Sequence, residues 1–164
     1  MARRVFFSFH YENDINRAMT VRNSWVTHGV EKAGFVDKAE FENIQRQGQK
    51  AIENWIDNQL NGTSVTVVLI GSDTLNRDFV QYEIRKSIEK GNGIIGVKIH
   101  NIKDMQTQLT SQLCNLHTIV GVWSESKKNI YFDEIADGIY DYASQDGYNK
   151  LGDWVEAAAK SKGK

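Results

Sequence analysis

In RDFVQYEIRKSIEKGNG, residues 77–93, one carboxylate stands where a surface charge is not expected. If each helical residue turns by about 100°, Val80, Ile84 and Ile88 form a buried stripe, while Gln81, Arg85 and Glu89 face outward. Glu83 joins neither set. It falls between the directions of Phe79 and Val80, at the edge of the apolar face and within two turns of the helix start. The second chemically loaded stretch is the aromatic and polar loop after the first apolar run, with Phe9, His10 and Tyr11 in sequence. An aromatic loop facing a carboxylate suits a planar heterocycle linked to a sugar. Aromatic side chains hold such a ring by stacking, and a carboxylate stabilises the cationic sugar centre as the ring leaves. That is N-glycosidic bond cleavage. The same position also suits a helix-surface carboxylate paired with Lys86 or Lys90, and periodicity alone does not separate the two.

Other chemistries find little support. FSFHYEND has no glycine where a dinucleotide fingerprint would place GxGxxG, and no Walker loop follows any apolar run. His10, His28, His100 and His117 are scattered, with no HExxH or close His/Cys/carboxylate set, so no metal site is expected. A two-component receiver would end its third strand in Asp, where this chain has Gly71-Ser72, and a flavodoxin would place a Ser/Thr/Gly phosphate cradle where Phe9, His10 and Tyr11 stand. Cys114 is the only cysteine, so no intrachain disulfide can form, and QLCNL reads as packing rather than as a nucleophile.

The elements that would position Glu83 are apolar runs alternating with helical periods. RVFFSF (4–9), AGFVD (33–37), SVTVVLIG (64–71), GIIGVKI (93–99) and HTIVGVW (117–123) lack polar alternation and suit strands covered on both faces. Between them, Ile15, Met19, Arg22, Trp25 and Val26 mark one helix. Ile52, Trp55, Ile56 and Leu60 mark another, which stops at Asn61-Gly62, and residues 77–90 form a third. After the last run, Phe132, Ile135, Ala136, Ile139 and Ala143 predict a helix, and Tyr148, Leu151, Trp154, Val155 and Ala158 a final one. NIKDMQTQLTSQLCN, 101–115, reads as a loop with a short helix. The order predicts an α/β fold: a doubly wound, mostly parallel five-stranded sheet with helices on both faces. Ligands of such sheets bind beyond the C-terminal strand ends, which places Glu83 near that rim.

Composition agrees with a single domain. The 164 residues, 40% hydrophobic and 25% charged with four Trp, six Tyr and seven Phe, are enough for one core and few for two. Residues 1–160 read as that domain and 161–164 as a frayed tail. A net charge of −1 supplies no basic field for nucleic acid or anionic membrane. No apolar run approaches the roughly 20 residues of a membrane span, and Glu12 and Asp14 interrupt the start where a signal peptide would stay apolar. The expectation is a cytoplasmic protein with neither nucleic acid nor membrane as partner.

Several stretches also carry a family resemblance. VFFSFHY resembles the first strand and loop of TIR domains, GFVD their second strand, and SDTLNRDFVQYEI the stretch that carries their catalytic glutamate. Ser72, Phe79, Glu83 and Ile84 fill that pattern of a serine-led loop, an aromatic, the glutamate and an aliphatic. RVFFSFHY, TSVTVVLIGSDTLNRDFVQYEIRKSIEKGN and DGYNKLGDWV are more closely similar to the ThsB-type TIR-like proteins of bacterial Thoeris antiphage defence, over about residues 3–99 and again 139–155. Phe79 where Trp is common, Val80 for a frequent Cys and Gly96 for a frequent Pro depart from general TIR sequences.

The resemblance implies an enzyme that cleaves nicotinamide from NAD and makes a cyclic or conjugated ADP-ribose signal, which activates a partner effector during phage infection. NAD is then substrate, not retained cofactor. Glu83 is implied as the catalytic carboxylate at the ribose, Ser8, Phe9, His10 and Tyr11 as the first-loop wall, Phe79 as the neighbour of the leaving ring, and Ser72, Asn76 and Arg77 as the pocket border. Self-association of TIR domains on activation is implied too, with Phe41 in a 38–48 connection that TIR domains use as a mobile assembly loop. Two alternatives stay open at this point: a non-catalytic TIR scaffold acting by protein association, and a nucleoside deoxyribosyltransferase-like enzyme.

Overall fold

The computed structural model describes residues 3–27 and 38–164, without side chains at 26–27 and 38–41. Its elements in chain order are β1 (Val5–Ser8), α1 (Tyr11–Thr27), α2 (Lys38–Arg46), α3 (Gln49–Leu60), β2 (Val65–Ile70), a short 3-10 turn (Thr74–Asn76), α4 (Asp78–Lys90), β3 (Gly93–Lys98), β4 (Ile119–Val122), β5 (Asn129–Tyr131), α5 (Phe132–Ile135), β6 (Gly138–Asp141) and α6 (Gly147–Ser161). The main sheet runs β1-β2-β3-β6, every pair parallel, with Ser8 opposite Val68 and Ile95 opposite Gly138.

Side-chain alternation divides the core between the two faces. Val5 and Phe7 point to one side, packing with Ala18, Val21 and Trp25 of α1 and with Leu151 and Val155 of α6. Phe6 packs on the other side against Ile52, Ile56 and Leu60 of α3. Val68 and Ile70 join Val80 and Ile84 of α4 on that side. The sheet is therefore doubly wound, as expected. Helix ends follow local chemistry: α3 stops before Gly62 at φ +78°, and α4 ends on Gly91 at φ +80°, left-handed positions that glycine occupies without strain.

Several expectations change. The expected strand at 33–37 lies outside the described residues. The run at 117–123 does form a strand, but β4 pairs antiparallel with β5 in a separate two-stranded ribbon beside α4. Instead of five strands, the main sheet has four among the described residues. The free edge of β3 is taken by β6, in a segment expected to be helical. Only Phe132–Ile135 is helix; Asp137 then accepts a hydrogen bond from the Ile94 N–H at 2.8 Å and returns its own N–H to the Ile94 carbonyl at 2.7 Å, fixing the strand register. Phe132, Ile135, Ala136 and Ile139 all reach one core cluster, which mimics helical spacing without a continuous helix. The segment 101–115 contains no helix and is held from α1, where Arg17 donates to the carbonyls of Ile102 and Leu109, each at 2.8 Å. The 38–48 connection, expected as a loop, is largely α2. At the chain end, the Lys164 carbonyl accepts from Arg3 Nη2 at 2.8 Å.

Candidate active site

Glu83 lies inside the protein. Ser8 shares a strand face with Phe6, two residues away, so it points toward α4, and its hydroxyl donates to Glu83 Oε2. Lys86 pairs with Glu89 at 3.4 Å instead. The buried carboxyl group belongs to a polar seam down the inner side of α4. One turn on, Ser87 donates to the Glu83 carbonyl at 2.7 Å and meets the Thr66 hydroxyl at 2.6 Å; Asn92 reaches both Thr63 and Thr66. Burial penalises the charged form and pushes the Glu83 carboxyl up to about 8, opposed by the Ser8 hydrogen bond. At neutral pH the resting group is therefore largely protonated.

Above Glu83 opens a cleft of about 90 Å³ lined by Phe9, His10, Tyr11, Glu12, Gln45, Arg77, Phe79, Val80 and Glu83. It sits at the C-terminal end of β1 and the start of α4. Phe9 and Tyr11 stack at 5.9 Å between centroids. His10 is 8% exposed, and neither ring nitrogen has a hydrogen-bond partner. Burial is the main cause lowering its pKa from 6.5, with Arg77 adding to it and Asp73 and Glu12 opposing. His10 is thus a neutral ring with two unused polar atoms in the cleft wall. Arg77 caps α4 at the mouth, 3.7 Å from the Asp73 carboxylate and 47% exposed.

This placement of a carboxyl group under an aromatic rim coincides with a family match. Residues 6–104, which include every residue lining the cleft, match the family described as Thoeris protein ThsB, TIR-like domain. A Bacillus cereus (strain MSX-D12) protein that carries the provisional name cyclic ADP-D-ribose synthase ThsB1 is 37% identical over 191 aligned residues, covering 94% of this chain and 100% of that one. The chain belongs to the ThsB TIR-like family.

Within this ThsB-type domain, Phe9, His10, Tyr11, Arg77, Phe79 and Glu83 line one cleft, and Ser8 stands behind Glu83 as its hydrogen-bond donor. Ser72 and Asn76 do not line it. Ser72 is exposed, and Asn76, also exposed, is turned to Asp73, donating to Oδ1 at 3.2 Å. Glu12, Gln45 and Val80 were not expected in the lining. Val80 had a readable signal, since it neighbours Phe79 on the inner face of the helix. Gln45 had none, because α2 approaches the cleft only through the tertiary fold. Among the described residues, no group of three or more His, Cys, Asp or Glu could hold a metal ion, and no helix is long and apolar enough to cross a membrane.

Proposed function

We propose that this protein is a TIR-type enzyme of antiphage defence that cleaves the nicotinamide–ribose bond of NAD and makes a cyclic or conjugated ADP-ribose signal. The observation that carries the reading is Glu83, a buried carboxyl group at an aromatic-walled cleft, in a chain 37% identical to a protein named as a cyclic ADP-D-ribose synthase. Phe79 and the stacked Phe9 and Tyr11 hold the nicotinamide ring. As the C–N bond breaks, its electron pair goes to the ring nitrogen, nicotinamide leaves neutral, and ionised Glu83 stabilises the positive charge left on the ribose. The ribose carbon is then captured by a nitrogen of the adenine, closing a ring, or by another acceptor, giving a conjugate. Ser8 positions Glu83 and favours its ionised form. The cationic substrate favours ionisation as well, so the carboxylate forms where it is needed.

NAD is substrate here and not a retained cofactor, since no glycine-rich phosphate turn follows β1. The product acts on an effector protein as a diffusible signal in the cytoplasm, and TIR domains associate on activation to complete the site. These features predict purified protein with little bound nucleotide, and activity that rises more steeply than linearly with protein concentration. The experiment is incubation of pure protein with NAD over a concentration series, with chromatographic detection of nicotinamide and mass spectrometry of the ribosyl product. Nicotinamide together with a cyclic or conjugated ADP-ribose supports the reading. Phage protection with neither product, in cells that carry the effector, would favour a scaffold.

A further inference from the structure

Two hollows share Phe79 as a wall. On one side is the Glu83 cleft of about 90 Å³; on the other, between α3 and α4, is a groove of about 260 Å³. Small-molecule sites commonly occupy roughly 300–1,000 Å³, and an engineered cavity of roughly 150 Å³ binds a molecule of the size of benzene. The cleft bounded by the described residues is therefore far below that range, whereas the two hollows together, at about 350 Å³, enter it. We propose that the groove between α3 and α4 is a second subsite, which holds the adenine base of the dinucleotide until the nicotinamide–ribose bond breaks, while its diphosphate crosses the first turn of α4. This inference rests on the function proposed above.

The groove chemistry favours a base over a phosphate. Gln49 and Glu53, one turn apart on α3, face Asp78, Gln81, Tyr82 and Arg85 of α4 across it, and Arg85 is engaged through Nη1 with the Val120 carbonyl at 3.0 Å. The amino group of adenine donates to carboxylates such as Glu53 and Asp78, and a glutamine amide pairs bidentately with the amino group and ring nitrogen of adenine. The Tyr82 hydroxyl donates to Asp57 Oδ1 at 3.0 Å, so the ring is already fixed before a base arrives. Glu53 on α3 disfavours a phosphate deeper in the groove, which leaves the diphosphate on the ridge between the hollows, where the Arg77 cation stands beside Asp78 of the same turn. That ridge is the start of α4, which has no side-chain cap and carries Arg77 at its N-cap. Free N–H groups and the helix dipole favour an anion there. His10 is the independent sign of a ligand on the cleft side, being 8% exposed with both ring nitrogens unpartnered.

Binding separates this subsite from the chemistry. Dissociation constants of ADP-ribose and of nicotinamide mononucleotide, which lacks the adenosine, are measured by calorimetry for the parent, Gln49→Ala and Glu53→Ala. Both positions lie on α3, where alanine maintains the helix. ADP-ribose should bind each variant about tenfold more weakly than the parent, with the mononucleotide changed less than twofold. Equal ADP-ribose affinity in folded variants, or no ADP-ribose binding by the parent, overturns the subsite. Failure of the parent to release nicotinamide from NAD would instead count against the enzymatic reading, so the two failures are distinguishable.

Discussion

Glu83→Gln should make the protein more stable, and increasingly so as pH rises. A carboxyl group whose pKa is raised on folding from 4.5 to about 8 opposes folding wherever the unfolded chain has lost that proton and the folded chain has not. Below pH 4.5 both states hold the proton, and parent and variant should differ by no more than about 1 kcal/mol, since Gln can still accept from Ser8. Between pH 4.5 and 8 the parent loses ground to the variant at about 1.4 kcal/mol per pH unit. Above pH 8 the difference levels off on the order of 5 kcal/mol, or roughly 10–20 °C in Tm for a chain of this size. Other ionisable groups are common to both proteins and largely cancel in the difference. Urea unfolding of both at pH 4, 6 and 8.5 is the assay. A stability difference that stays constant across that range would refute the argument that burial holds Glu83 protonated.

On the mechanism proposed above the reaction needs Glu83 ionised, so kcat/KM for NAD should rise with pH through a midpoint near 8 in the free enzyme; a flat profile from pH 6 to 9 contradicts that. Ser8→Ala removes the hydrogen bond that favours the carboxylate, so the midpoint should move alkaline and the rate at pH 7 fall about tenfold for each pH unit moved. His10→Phe should leave denaturant stability unchanged or higher, because two buried nitrogens without partners are replaced by carbon, while KM for NAD rises about tenfold if those nitrogens contact substrate. In Gly93→Ala the added Cβ would lie 2.7 Å from the Ala158 carbonyl oxygen, and the overpacking should cost about 1–3 kcal/mol in urea unfolding.

The sequence disclosed the elements whose patterns are repeated and strong. β1, β2 and β3 are nearly continuous apolar runs because both faces of the sheet are covered. α1, α3, α4 and α6 show helical stripes, and α3 and α4 end on recognisable glycine stops. β6 was hidden because Gly138–Asp141 is short and its neighbours Phe132, Ile135 and Ala136 repeat at helical intervals. β4 has the β-branched content of an inner strand, yet it joins an antiparallel ribbon that leaves Ile119, Val122 and Trp123 exposed; composition does not encode which edge a strand takes. At the site, Glu83 was legible as the residue that fitted neither face of its helix. The seam behind it was not. Ser87, Thr66 and Asn92 are ordinary polar residues in sequence and acquire meaning only when α4 lies across β1 and β2. Ser72 and Asn76, expected at the pocket border through the family pattern, face outward because the turn from Thr74 to Asn76 folds onto its own loop, with the Gly71 N–H donating to the Thr74 hydroxyl at 2.7 Å.

The proposed role of the Glu83 carboxylate in nicotinamide release is tested most directly by comparing parent and Glu83→Gln at pH 8.5 and saturating NAD. The amide maintains shape and removes charge, so the initial rate of nicotinamide formation should fall about 10²- to 10⁴-fold in a variant that urea unfolding shows to be at least as stable as the parent. A folded Glu83→Gln protein that releases nicotinamide at the parent rate would contradict the account.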